Sequence, residues 1–169
     1  MTELSRPCDA TRLPAAEQVI VASQHECTAL AKRFGLVAVN ALEARIMLKA
    51  DGPTVRATGR LTADIVQSCA VSGEDLPVQI AEPIALHFVP PADSPESEEE
   101  IELEADELDE IEMDGTRFDL GEAVAQSLAL AIDPYLEGPN AEQARRKAGI
   151  VSEGASGPLA DALKGLLKK

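Results

Sequence analysis

The chain has no tryptophan, and only three Phe and one Tyr among its 169 residues. Base-stacking platforms for nucleic acid need clustered aromatics, so this composition argues against them. The core must be built from Val, Leu, Ile and Ala. Cysteine is equally scarce. Cys8, Cys27 and Cys69 are odd in number and widely spaced, with no CxxC pair. That pattern fits free thiols in a reducing compartment rather than a disulfide framework. No apolar run approaches the eighteen or so residues of a membrane span, and Met1–Ala10 carries Arg6, Pro7 and Asp9 where a leader would need an apolar stretch. The expected location is cytoplasmic, with no membrane partner. Gly52, Gly59 and Gly73 are isolated, so there is no glycine-rich phosphate loop. His25 and His87 have no Cys or carboxylate at metal-ligand spacing, so neither zinc nor another cofactor is expected. Cys69 shows no neighbouring base or cation in sequence that would make it a nucleophile. No catalytic residue emerges.

Basic charge is missing from one segment in particular. Pro91–Glu122 holds 15 of the 30 acidic residues and one base, Arg117, while the remainder is close to neutral. Such a segment repels a phosphate backbone and attracts basic protein surfaces. Glu96–Glu104 is too charged to pack and reads as an acidic loop near 91–104, with Ile101 and Leu103 able to form a weak outer strand. Asp106, Asp109 and Asp114 are the candidates for a weakly held divalent ion, although crowded carboxylates ordinarily mean a solvated loop. The bases lie elsewhere. Arg56 and Arg60 share one strand face, and Arg145, Arg146 and Lys147 sit in a tail that is net positive over 141–169.

Periodicity predicts the elements. Leu4–Pro7 and Gln18–Val21 read as short strands. Ser23 and Glu26 form a capping-box pattern ahead of Cys27, Leu30, Ala31 and Phe34, with Gly35 as the stop, so a helix is predicted over 24–34. From Leu36 the period becomes two, with a slip near Asn40–Leu42 that predicts a bulge. Val55, Ala57, Gly59, Leu61, Ala63 and Ile65 alternate inward. A long hairpin of 37–49 against 54–68 follows, turning at Asp51-Gly52-Pro53. A third strand over 76–88 carries Pro77 and Pro83 on the parity opposite its apolar residues, which predicts an edge or a bend. Asp119 reads as the cap of a helix over 119–132 that stops before Pro134. Ala141–Lys147 and Leu159–Leu167 read as short helices in a flexible tail. The fold class is α+β, with long antiparallel hairpins in a curved or barrel-like sheet.

Three segments carry a resemblance. Gly59-Arg60-Leu61-Thr62-Ala63-Asp64-Ile65-Val66-Gln67-Ser68-Cys69 is similar to a "G-x-L-x-A-x-V-x-Q-x-C" segment. Asp119-Leu120-Gly121-Glu122, continuing to Asp133-Pro134-Tyr135, resembles "D-L-G-E … P-Y-P". Leu30-Ala31-Lys32-Arg33-Phe34-Gly35-Leu36 resembles "L-A-x-R-x-G-L". In this order, around an acidic loop, they resemble the YceD-like family of large ribosomal RNA subunit accumulation proteins in its alphaproteobacterial form. The resemblance implies a single domain over 1–140 with an acidic insertion at 91–114, followed by a basic tail over 141–169. It also implies a non-enzymatic ribosome biogenesis factor that supports accumulation of large-subunit (23S) ribosomal RNA. Many relatives have paired cysteines near Cys69. Here Cys69 stands alone, so no metal site is carried over.

The charge layout adds an expected partner, a basic ribosomal or ribosome-assembly protein, with ribosomal RNA engaged indirectly. The predicted partner-binding residues are Glu98, Glu99, Glu100, Glu102 and Glu104, with Asp119 and Glu122. One alternative is direct RNA contact through Arg56, Arg60, Arg145, Arg146 and Lys147. Another is a metal-dependent hydrolase built on the acidic cluster.

Overall fold

Local chemistry sets the first elements. Ser23 Oγ accepts from the Glu26 amide at 3.3 Å, and Glu26 Oε2 accepts from the Ser23 amide at 2.7 Å, closing the capping box of helix α1, Gln24–Phe34. Gly35 ends α1 at φ +66°, a left-handed conformation that a Cβ would disfavour. The computed structural model describes residues 3–91 and 109–150. The glutamate run, Ile101, Leu103 and Leu159–Leu167 lie outside them. The chain divides into two compact units, 1–67 with 75–133, and 68–74 with the residues from 134 onward.

The first unit is α+β. Strand β1 (Pro7–Asp9) leads through a 3₁₀ turn at Ala10–Arg12 towards β2 (Gln18–Val21) and α1. Strands β3 (Ala38–Asp51) and β4 (Thr54–Ser68) form the predicted antiparallel hairpin. Its register shifts between Val39 and Ala41, at the predicted bulge, so burial passes from Val39 to Leu42, Ala44, Ile46 and Leu48. On β4, Val55, Ala57, Leu61, Ala63 and Ile65 are buried. Gly59 departs from the inward reading. It is exposed, and a Cβ there would come within 1.9 Å of the Arg45 carbonyl oxygen, so close backbone approach takes the place of a side chain.

Strand β5 (Asp75–Val89) lies beside β4, and β6 (Asp109–Glu112) beside β5. The sheet order is β2-β3-β4-β5-β6. This sheet is open, not a closed barrel, which corrects the barrel-like expectation. β6 runs parallel to β5, with Leu86 opposite Asp109 and Val89 opposite Glu112. The end of the predicted acidic insertion is therefore an edge strand, and the sheet is not purely antiparallel. Alternation predicts which face a residue takes, but it does not choose neighbours across a long connection.

The N-terminal strand falls later than predicted. Leu4 is fully buried but precedes β1, which pairs antiparallel with β7 (Arg117–Asp119) in a separate two-stranded sheet. Helix α2 (Leu120–Ala131) follows β7 at once. The buried residues of α1 and α2 join those of the sheet in one hydrophobic cluster. Phe88 and Phe118 stack within it, with ring centroids 4.2 Å apart.

In the second unit, Cys69–Glu74 turns on itself. The Cys69 amide donates to the Glu74 carbonyl at 2.7 Å, and Gly73 supplies a positive φ of +72°. Helix α3 (Ala141–Lys147) forms as predicted. Ahead of it, the Glu74 carboxylate accepts from the Asn140 amide at 3.0 Å and from its side-chain Nδ2 at 2.6 Å.

The start of α2 holds distant parts of the first unit together. Asp119 Oδ1 accepts from the amides of Arg6 (2.7 Å), Gly121 (2.9 Å) and Glu122 (3.1 Å), and Oδ2 accepts from Ser5 Oγ at 2.6 Å. Burial raises this carboxyl's pKa, but the hydrogen bonds outweigh it and hold the net value below the ordinary one. A Cβ on Gly121 would stand 2.7 Å from the Leu4 carbonyl oxygen, so the helix start abuts the N-terminal backbone. Asp119→Ala is expected to lose about 2 kcal/mol in urea unfolding, combining a lost helix cap with an unsatisfied Arg6 amide. Because the folded pKa is depressed, the stabilisation is complete above the ordinary carboxylate value and disappears as pH falls through the depressed one. The gap between parent and variant should be wide at neutral pH and close in acid. Gly121→Ala should also destabilise, against its favourable helix propensity.

Candidate functional site

The polar residues of the sequence motifs mostly serve the architecture. Glu122 receives both arms of Arg33, at 2.8 and 2.6 Å, and Arg33 also donates to Glu3 at 2.9 Å. The Arg33 hydrogen bond is the largest influence on the Glu122 carboxyl and holds it below its usual range. The "L-A-x-R" and "D-L-G-E" segments thus meet through one bidentate ion pair. Gln67 is buried, and its Nε2 donates to the Asp133 carbonyl at 2.7 Å, joining the first segment to the end of the second. Asp119 and Glu122, predicted to meet a partner, are engaged inside the domain. Sequence reasoning missed Arg6, which donates to Glu26 at 2.7 Å and pulls that carboxyl down to about 2. Its signal was weak, because an arginine beside a proline near an N-terminus has no periodic context.

Two charged surfaces of the first unit stand out among the described residues. The first is the β6 edge, where Asp109, Glu110 and Glu112 are exposed, continued by exposed Asp114, while Met113 between them is buried. Glu110 comes within 4.0 Å of His87 Nδ1. These four acids continue the anionic segment whose members Glu98, Glu99, Glu100, Glu102 and Glu104 lie outside the described residues. Among the described residues, no group of three or more His, Cys, Asp or Glu is placed to hold a metal ion.

The second surface is the solvent face of the β3–β4 hairpin. Arg56 and Arg60 are there, as predicted, and the register sets Lys49 opposite Arg56 and Arg45 opposite Arg60. Arg45 and Lys49 were missed, although counting outward from the Asp51–Thr54 turn would have paired them.

In the second unit, Arg145 is held by Glu137 and by Glu142, the latter at 2.9 Å, while Arg146 and Lys147 are exposed on α3. Cys69 is buried and is ringed by donors. Its Sγ accepts from the amides of Val71 (3.4 Å), Ser72 (3.3 Å) and Gly138 (3.2 Å). The Ser72 side chain, followed by these amides, pulls the thiol down to about 7. Burial instead raises Cys8 and Cys27. The donors lie in the turn after Cys69 and in the loop at Gly138, which sequence spacing alone does not bring together.

A family model described as large ribosomal RNA subunit accumulation protein YceD matches residues 57–156. No curated protein and no solved structure matches.

Ultraviolet absorption at 240 nm should show one thiolate forming with a midpoint near pH 7, absent from Cys69→Ser and shifted upward in Ser72→Ala. Cys8 and Cys27, raised by burial, should titrate above an ordinary thiol. Because the Cys69 pKa is depressed, its contribution to stability should be complete above about pH 9 and be lost as pH falls through 7.

Proposed function

Because the chain belongs to the YceD family of large ribosomal RNA subunit accumulation proteins, a family of ribosome biogenesis, we propose that it is a non-enzymatic cytoplasmic factor that acts by holding a basic ribosomal or assembly protein. The observation that carries this reading is the acidic segment, with 15 acids between Pro91 and Glu122, and its exposed continuation on β6. An edge strand bearing Asp109, Glu110 and Glu112 gives that charge a fixed platform, which helps orient a partner once the field has drawn it in. The motif carboxylates Asp119 and Glu122 are bound within the domain, which concentrates the reading on the segment before them. Among the described residues, no helix is long and apolar enough to cross a membrane.

In this reading the protein shields a basic partner until it meets ribosomal RNA. The anionic segment itself repels phosphate, so its link to RNA runs through that partner. Five substitutions, Glu98→Gln, Glu99→Gln, Glu100→Gln, Glu102→Gln and Glu104→Gln, test it together. Co-sedimentation with nuclease-treated large-subunit precursors should fall about tenfold at low salt, the lower end of electrostatic steering. The parent's association should weaken as salt is raised, while the variant's circular dichroism stays unchanged. Adding Asp109→Asn, Glu110→Gln and Glu112→Gln should deepen the loss. Undiminished association of the eight-fold variant would sink the proposal.

A further inference from the structure

The β3–β4 hairpin carries an arrangement that folding alone does not favour. Arg45 faces Arg60, and Lys49 faces Arg56, as directly opposed cross-strand pairs. All four side chains are exposed on the face opposite the buried Ala44, Ile46, Ala57 and Leu61. Like charges directly opposite each other destabilise a sheet. Two such pairs, four residues apart along each strand, make a basic column about 13 Å long at the usual rise per residue.

The local anions only partly balance it. Glu43 accepts from Arg45 at 2.8 Å, and Asp51 accepts from Arg56 at 3.2 Å. Both pairs are solvent-exposed and therefore weak enough for a phosphate to displace. Among the described residues, Lys49 and Arg60 have no side-chain partner. Lys49, Asp51 and Arg56 line a cleft of about 270 Å³ at the turn end of the column. Between the basic pairs, Met47 faces Thr58. Neither strand contains an aromatic residue.

We propose that this hairpin face binds the phosphate backbone of RNA. Four basic side chains on one face of a long hairpin suit a line of phosphates. The absence of stacking side chains makes the contact independent of base sequence. The face rests on the proposed function only for the choice of RNA as the polyanion, and it is separate from the β6 edge. With both surfaces occupied, one chain holds RNA on its hairpin face and a basic protein on its acidic edge.

Filter binding of the full chain to a purified large-subunit ribosomal RNA fragment, and to an unrelated RNA of equal length and similar secondary structure, tests this without any partner protein. The parent should bind both RNAs alike at 50 mM salt. Its affinity should fall with a log–log slope of about −3, the release expected for four phosphate contacts. The double variant Lys49→Ala, Arg60→Ala should bind at least tenfold more weakly, with the slope reduced by one to two. Adding Arg45→Ala and Arg56→Ala should abolish binding. The double variant breaks no side-chain ion pair of the described residues, so it carries the test should the fourfold variant unfold. The five-glutamine variant should bind RNA at least as well as the parent. Absence of RNA binding by the parent, unchanged affinity in the double variant, or preference for poly-glutamate over RNA would each overturn the inference. Those results would leave nuclease-resistant protein association untouched, so the two proposals fail separately.

Discussion

The first unit depends on one carboxylate. Asp119 caps α2, receives the Arg6 amide and the Ser5 hydroxyl, and stands at the end of the β1–β7 pair. Among the described residues, no other side chain joins the N-terminal backbone and the start of α2 at so many points. Its neighbours complete the junction. The Leu120 amide donates to the Arg6 carbonyl at 3.0 Å, Gly121 leaves room for the Leu4 backbone, and Glu122 clasps Arg33. Four consecutive residues therefore perform four different structural tasks. Exposed ion pairs contribute under about 1 kcal/mol each. A half-buried amide left without its acceptor costs more, so the Asp119 hydrogen bonds outrank the Arg33 pair.

This division of labour separates what a motif preserves from where a protein meets its partners. Asp119, Glu122, Arg33 and Gln67 lie in the segments that resemble the family, and each is occupied within the first unit. Among the described residues, the surfaces proposed for recognition are the acidic edge at β6 and the opposed bases of the hairpin. Two strand positions separate β6 from β4 in the sheet order, roughly 10 Å at the usual strand spacing. Charges of opposite sign are thus held two strands apart on one sheet.

Much of this was legible in the residues themselves. The Ser23–Glu26 box and Gly35 fixed α1, the slip near Asn40 marked the bulge, and the alternation from Val55 to Ile65 identified the buried face of β4. Those signals are local, written by neighbours in sequence. The parallel pairing of β6 with β5 was not legible, because it is chosen across an acidic connection that carries no periodicity. The open edge of the sheet follows from the same choice. Asp119 was readable as a cap, but its bond to Arg6 spans 113 positions and has no sequence signature. Arg45 and Lys49 were overlooked for a simpler reason: each looks ordinary until the register places another base across from it.

The span between Arg6 and Asp119 also sets an order of events during synthesis. The β3–β4 hairpin can close as soon as its second strand has left the ribosome, since its contacts are local. The N-terminal segment has to wait for residues 119–122, more than a hundred positions later, before its backbone finds acceptors and Leu4 finds cover. Contacts with large sequence separation form slowly and leave their partners exposed meanwhile. Topology therefore allows the hairpin to assemble, with its basic face complete, before residues 3–6 can dock.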